Sequence, residues 1–197
     1  MRKRLAFAFL ALMSAGSLAW AQSSPPAAPA ASEAEPIGGS FMLVDQNGRA
    51  VSDEDFRGSF LLIAFGYTNC PDVCPTTLMT MASALNAMGP DAKAIRPIFI
   101  SVDPARDTPA RLKEYVESFG DNFVGLTGPE AYVASVARKF RISIAKTPSP
   151  SGGYSVDHTA GLFLVGPDGA FIKRFGYDMP ARDLAASLSE LVKRTTD

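Results

Sequence analysis

Residues 60–65, FLLIAF, are apolar without interruption and stop at Gly66. A run of that length reads as a strand covered on both faces, because a face left in water would show polar residues in alternation. Residues 95–102, mostly apolar, read as a second buried strand, and shorter strands are read at 123–126, 161–165 and 170–175, the last two flanking Pro167-Asp168-Gly169 as a hairpin. Near the start, residues 41–44, the turn Asp45-Gln46-Asn47-Gly48 and the return through Val51 predict another hairpin. Helical spacing lies between the strands. Residues 76–88 put Leu78, Met81, Ala82, Leu85 and Met88 on one side, residues 129–140 repeat Tyr132, Val136 and Phe140 at intervals of four, and residues 180–193 predict a final helix. Asp107-Thr108-Pro109 supplies a capping residue and an early proline for a helix running to Phe119.

The predicted order is a β-hairpin, then β-α-β-α-β-α, then β-β-α. Strands alternating with helices indicate an α/β fold, with a central mixed sheet flanked by helices. The order is that of a thioredoxin-like fold with an N-terminal β-hairpin added. The stretch from Thr147 to Ser155, rich in Gly, Pro and Ser, reads as a mobile loop.

The ends change the picture. Arg2, Lys3 and Arg4 precede an apolar stretch from Leu5 to Leu18, and Ala19-Trp20-Ala21 offers small residues before a cut. Residues 1–21 therefore read as a signal peptide, with an uncleaved N-terminal anchor as the alternative. Residues 22–36 are rich in Pro, Ala and Ser and predict a solvated linker. The folded domain is then 37–197, about 160 residues, enough for one core. Cleavage after Ala21 removes three basic residues and no acidic one, taking the formal charge from −1 to −4, which argues against a nucleic-acid partner.

Both cysteines of the chain, Cys70 and Cys74, lie in YTNCPDVCPTTL, at the turn between the first buried strand and its helix. A bridge between them closes a very small loop and removes little chain entropy, so a chemical role is favoured over a structural disulfide. Unpaired N–H groups and the helix dipole at that turn predict that both thiols ionise more readily than free cysteine, as nucleophiles or soft-metal ligands. Pro75 fits the helix start, where its missing N–H is not needed. The one histidine, His158, sits between the predicted mobile loop and the strand at 161–165.

Three separated segments carry a resemblance: Tyr67-Thr68-Asn69-Cys70-Pro71-Asp72-Val73-Cys74-Pro75, Ser101-Val102-Asp103-Pro104-Ala105-Arg106-Asp107-Thr108-Pro109 and Val156-Asp157-His158-Thr159. Together they resemble the Sco/SenC family of copper-binding, thioredoxin-fold proteins, over essentially all of the chain from Ile37 onward. The resemblance implies that Cys70, Cys74 and His158 bind copper, as Cu(I) or Cu(II). It further implies a metallochaperone that serves the dinuclear copper centre of cytochrome c oxidase, with a copper-acceptor subunit of that enzyme, and a copper donor protein, as partners. Two thiolates and an imidazole suit Cu(I), though the same donors hold Zn(II) with a water. Export to the periplasm or the outer face of the cytoplasmic membrane follows from the N-terminus, which is also the only segment expected to touch a membrane.

Rival chemistry remains open at this level. A thiol–disulfide oxidoreductase would use Cys70 to attack and Cys74 to resolve. A peroxiredoxin is disfavoured, since Thr68 lies two residues before Cys70 and Ala64 six before it. Asp72 and Asp157 flank the candidate ligands and are read either as orienting groups or as solvated turn residues. The segment from Asp103 to Pro109 reads as a loop and helix cap. Met81 and Met88 read as core, and Met79 and Met179 are left unassigned to either role.

Overall fold

A computed structural model describes residues 36–148 and 152–196. In chain order its elements are β1 (Met42–Asp45), β2 (Ala50–Ser52), β3 (Phe60–Gly66), α1 (Val73–Met88), β4 (Ile95–Ser101), α2 (Pro109–Glu117), β5 (Val124–Thr127), α3 (Glu130–Lys139), β6 (Ile144–Pro148), β7 (Tyr154–His158), β8 (Leu162–Val165), β9 (Phe171–Phe175) and α4 (Ala181–Thr196). The expected signal segment, and the expected linker up to residue 35, lie outside the described residues.

Seven strands form one sheet in the order β2-β1-β5-β4-β3-β8-β9. The uninterrupted apolar run becomes β3, buried at every position and lying between parallel β4 and antiparallel β8. Alternate β3 side chains feed two cores, as the period of two requires. Leu61, Ile63 and Phe65 join Val133, Val136, Phe140 and Phe163 on the α3 face. Phe60, Leu62 and Ala64 join Leu78, Met81 and Leu85 of α1, Leu112 and Val116 of α2, and Leu184 and Leu188 of α4 on the other. Each fully buried aliphatic or aromatic side chain contributes about 1.5–3 kcal/mol. The β-α-β unit β3-α1-β4, the antiparallel β8 and β9 and the closing α4 make the fold thioredoxin-like, with β1 and β2 as the expected N-terminal hairpin.

Two expectations are corrected. The stretch from Thr147 to Ser155 is not simply a loop: β6 and β7 pair antiparallel from Ile144 opposite His158 to Pro148 opposite Tyr154, as a separate two-stranded sheet. The composition hid an alternation in which Tyr154, Val156 and His158 turn inward while Ser155 and Asp157 stay exposed. On α3, Tyr132 is exposed, and Val133 takes the inward place beside Val136 and Ala137.

Gly66 ends β3 beneath the cysteine turn. A Cβ there would come to 2.7 Å from the Phe99 ring and 2.8 Å from Cys74 Sγ, so the strand passes under the thiol only because it carries no side chain. The substitution Gly66→Ala is expected to lower stability by about 1–3 kcal/mol through overpacking. The midpoint of denaturant unfolding checks this; an unchanged midpoint would show that the turn yields freely.

Candidate metal centre

The cysteine turn is shaped before α1 begins. Cys70 N–H donates to the Tyr67 carbonyl at 3.1 Å, and Tyr67 is buried. The helix starts at Val73, earlier than the periodicity indicated, so Cys74 lies in its first turn and its N–H points to Cys70 Sγ at 3.4 Å. Pro75 still sits where no intrahelical N–H is needed.

Asp107 holds this turn from outside. Its buried carboxylate accepts from Thr68 N–H at 3.0 Å, from the Thr68 hydroxyl at 2.6 Å and from the Ser101 hydroxyl at 2.6 Å. Arg111 Nε donates to the same Thr68 hydroxyl oxygen at 2.7 Å. Sequence reasoning gave the segment from Asp103 to Pro109 the role of a loop and cap. The cap is there, with Thr108 accepting from Arg111 N–H and Pro109 opening α2, but Asp107 does something the cap pattern does not reveal. A charged residue with no apolar neighbours in sequence gives no sign that it will be buried.

β7 brings the imidazole to the thiols. His158 is half-buried at its end, with Nε2 3.8 Å from Cys74 Sγ and Nδ1 3.2 Å from the Thr159 carbonyl. A carbonyl only accepts, so Nδ1 carries the proton and the Nε2 lone pair is left facing the sulfur. The Tyr67 ring meets the imidazole edge-on, with centroids 6.3 Å apart.

Burial, more than the helix dipole, sets the protonation of this site. It pushes the Cys74 thiol well above its ordinary range, and the hydrogen bond with the Cys70 side chain adds to the effect, against the opposing Tyr67 backbone. This corrects the expectation that both thiols ionise readily: Cys74 is 3% exposed, and desolvation outweighs a partial charge at a helix end. Burial likewise holds His158 below its ordinary 6.5, against the pull of the Thr159 carbonyl and the Asp157 charge. Neither flanking carboxylate orients the ring. Asp157 is exposed and accepts from the Thr147 hydroxyl at 3.0 Å, and Asp72 is exposed at the start of α1 without a side-chain capping bond.

The donor set fits a soft ion. A metal at about 2.3 Å from sulfur and 2.0 Å from nitrogen, with a trigonal angle between them, needs about 3.7 Å between the two donors, close to the 3.8 Å present. Cys70, half-buried, supplies a third donor beside them. Among the described residues no three His, Cys, Asp or Glu side chains are gathered closely enough to hold a metal ion, and Cys70 Sγ lies 3.4 Å from the Cys74 backbone nitrogen. Met81 and Met88 are core, Met179 packs against that core, and Met79 is exposed.

Residues 29–193 match the family profile described as SCO1/SenC. Protein sco1 of Schizosaccharomyces pombe is 42% identical over 159 residues, which cover 77% of this chain and 59% of that protein. The structure of Bradyrhizobium japonicum ScoI with copper bound is similar at a TM-score of 0.72 and 47% identity, over 78% of this chain and 98% of that one. That of BsSco, a member of the Sco family of cytochrome c oxidase assembly proteins in which a disulfide switch was identified, is similar at 0.64 and 28%, over 80% and 94%. The profile spans both cysteines, the buried Asp107 and the histidine that β7 carries to them, and on that extent of match the chain belongs to the SCO1/SenC family.

Proposed function

We propose that this protein binds copper through Cys70, Cys74 and His158 and delivers it to a cysteine-bearing subunit of cytochrome c oxidase, for the dinuclear copper centre. The observation that carries this reading is the 3.8 Å approach of Cys74 Sγ to the unprotonated Nε2 of His158, beside the half-buried Cys70. The copper bound in the related ScoI supports it. Two thiolates and an imidazole satisfy Cu(I) and leave room for an incoming ligand. Transfer is then stepwise: a thiolate of the acceptor joins the ion, donors of this chain leave in turn, and each departing thiolate takes up a proton. Copper keeps its oxidation state, so no electron donor is required. Loading from a copper donor protein is the same exchange in reverse. The high proton affinity of buried Cys74 favours release. The same donors accept Cu(II) as well. Export by residues 1–21 would place the exchange in the periplasm or at the outer face of the cytoplasmic membrane. Among the described residues no helix is long and apolar enough to cross a membrane.

The asymmetry of the thiols also favours a second reading, a dedicated thiol–disulfide oxidoreductase. Cys70 thiolate would attack one sulfur of a disulfide in the acceptor and expel the other as thiolate. Cys74 would then attack Cys70 Sγ and release the second acceptor thiol. Two electrons pass to the acceptor, and the chain is left as a Cys70–Cys74 disulfide that a further dithiol must reduce.

Anaerobic titration of the reduced protein with Cu(I), against a competing chelator, is expected to give one-to-one binding that weakens about tenfold or more in His158→Ala, at least 1.4 kcal/mol. Binding indifferent to His158 would move the reading to the reductase. Alkylation by iodoacetamide at neutral pH should modify Cys70 well before Cys74, and copper should protect both; equal rates would contradict the buried, protonated Cys74. His158 gives a third expectation. Its folded pKa lies below the 6.5 of the unfolded chain, so the unfolded state takes up the proton first as pH falls. The stability of the metal-free protein present above about pH 6.5 should therefore decline below it, and His158→Gln should remove that part of the decline. Identical melting profiles of the two proteins between pH 7 and 5 would contradict it.

A further inference from the structure

The segment from Ser101 to Pro109 buries two carboxylates, Asp103 and Asp107, and the copper site uses neither as a ligand. They face different arms of that site. Asp107 holds the cysteine turn through Thr68. Asp103 accepts the Tyr154 hydroxyl at 2.7 Å and pairs with Arg106 Nε. Tyr154 opens β7, the strand that ends in His158. Arg106 then joins the arms: Nη1 donates to the Tyr154 carbonyl at 2.9 Å, and the guanidinium lies 4.0 Å from the Tyr154 ring centroid and 5.6 Å from that of Tyr67.

This joint carries weight because of the topology. β6 and β7 pair with each other and take no place in the seven-stranded sheet, so no ladder hydrogen bond of the main sheet fixes His158 relative to the thiols. A lone two-stranded hairpin is marginal in water and needs something to pack on. Here the packing is Val156 against the core, with Tyr67 and the Arg106 stack beside it.

We propose that Arg106, held by Asp103 and stacked between Tyr67 and Tyr154, is a positioning residue: it sets the distance from His158 Nε2 to the thiols and thereby the copper affinity. The role rests on the copper-binding reading above. Among the described residues Arg106 Nη2 is buried without a hydrogen-bond partner, a cost that suits a residue placed for geometry. Lysine cannot replace it, because a planar fork both stacks and donates in two directions.

A double-mutant cycle tests this. Arg106→Gln should weaken Cu(I) binding about tenfold or more when His158 is present, as loss of a ligand-orienting partner does. In the His158→Ala background it should change affinity by less than about twofold, and Tyr154→Phe, which keeps the ring, should show the same dependence with a smaller effect. Equal losses in both backgrounds, or no loss in either, would overturn the proposal. If Arg106→Gln does not unfold cooperatively, Tyr154→Phe alone decides by the same criteria. Amide hydrogen exchange in the metal-free protein separates this proposal from the copper reading. Arg106→Gln should speed exchange from Val156 to Thr159 by about tenfold while β3 and β4 amides keep their rates, whatever the metal result. Unchanged exchange there would overturn the joint, whereas accelerated exchange in a protein that binds no copper through His158 would uphold the joint and sink only the metal site.

Discussion

Every residue of β3 is withdrawn from water, and the rest of the molecule is arranged around that constraint. A strand buried on both faces cannot lie at the edge of a sheet, so β4 and β8 must flank it, and both faces must be covered by helices. α1 covers one face because the chain leaving β3 turns directly into it, and the cysteines occupy that turn. The thiols sit where they do because the apolar run ends at Gly66 and the chain must reverse immediately over its own strand. The site is thus a by-product of the connection that the core requires.

Within the site two electrostatic influences oppose each other. The first turn of α1 favours an anion, whereas the apolar surroundings of Cys74 disfavour one. Burial prevails at Cys74, since a helix end offers about 0.3–1 kcal/mol in an exposed setting while desolvation acts on the whole charge. His158 is kept neutral by the same surroundings, and its Nδ1 is committed to the Thr159 carbonyl. The metal-free site is therefore a protonated thiol facing a lone pair, and an incoming cation would displace the Cys74 proton as it binds.

What sequence could and could not reveal follows from range. The apolar runs, the caps and the turn residues are local signals, and β1 to β5, β8, β9 and the four helices were legible from them. Cys70, Cys74 and His158 were singled out by the strand-to-helix turn, the place of the histidine before β8 and the family resemblance, and the fold brings His158 Nε2 to 3.8 Å from Cys74 Sγ. Less legible were features decided by distant partners. The hairpin of β6 and β7 was masked by Pro148, Gly152 and Gly153, whose turn chemistry outweighed the short alternation beside them. The burial of Asp103 and Asp107 depends on Tyr154 and Thr68, which lie 51 and 39 residues away in sequence. The inward turn of Val133 in place of Tyr132 was missed because a spacing of four fits two neighbouring faces of a short helix equally well.

The separateness of the small hairpin has a consequence for the order of events at the site. Opening β6 and β7 breaks no rung of the large sheet, so the free energy that holds the imidazole in place is set locally, by a few contacts. Cys74 belongs to α1, whose apolar side is packed into the core, and moves only when that core loosens. The nitrogen and the sulfurs therefore sit in units of different local stability. If copper is held as proposed, its ligand shell would come apart unevenly, nitrogen before sulfur, through a state held by thiolates alone.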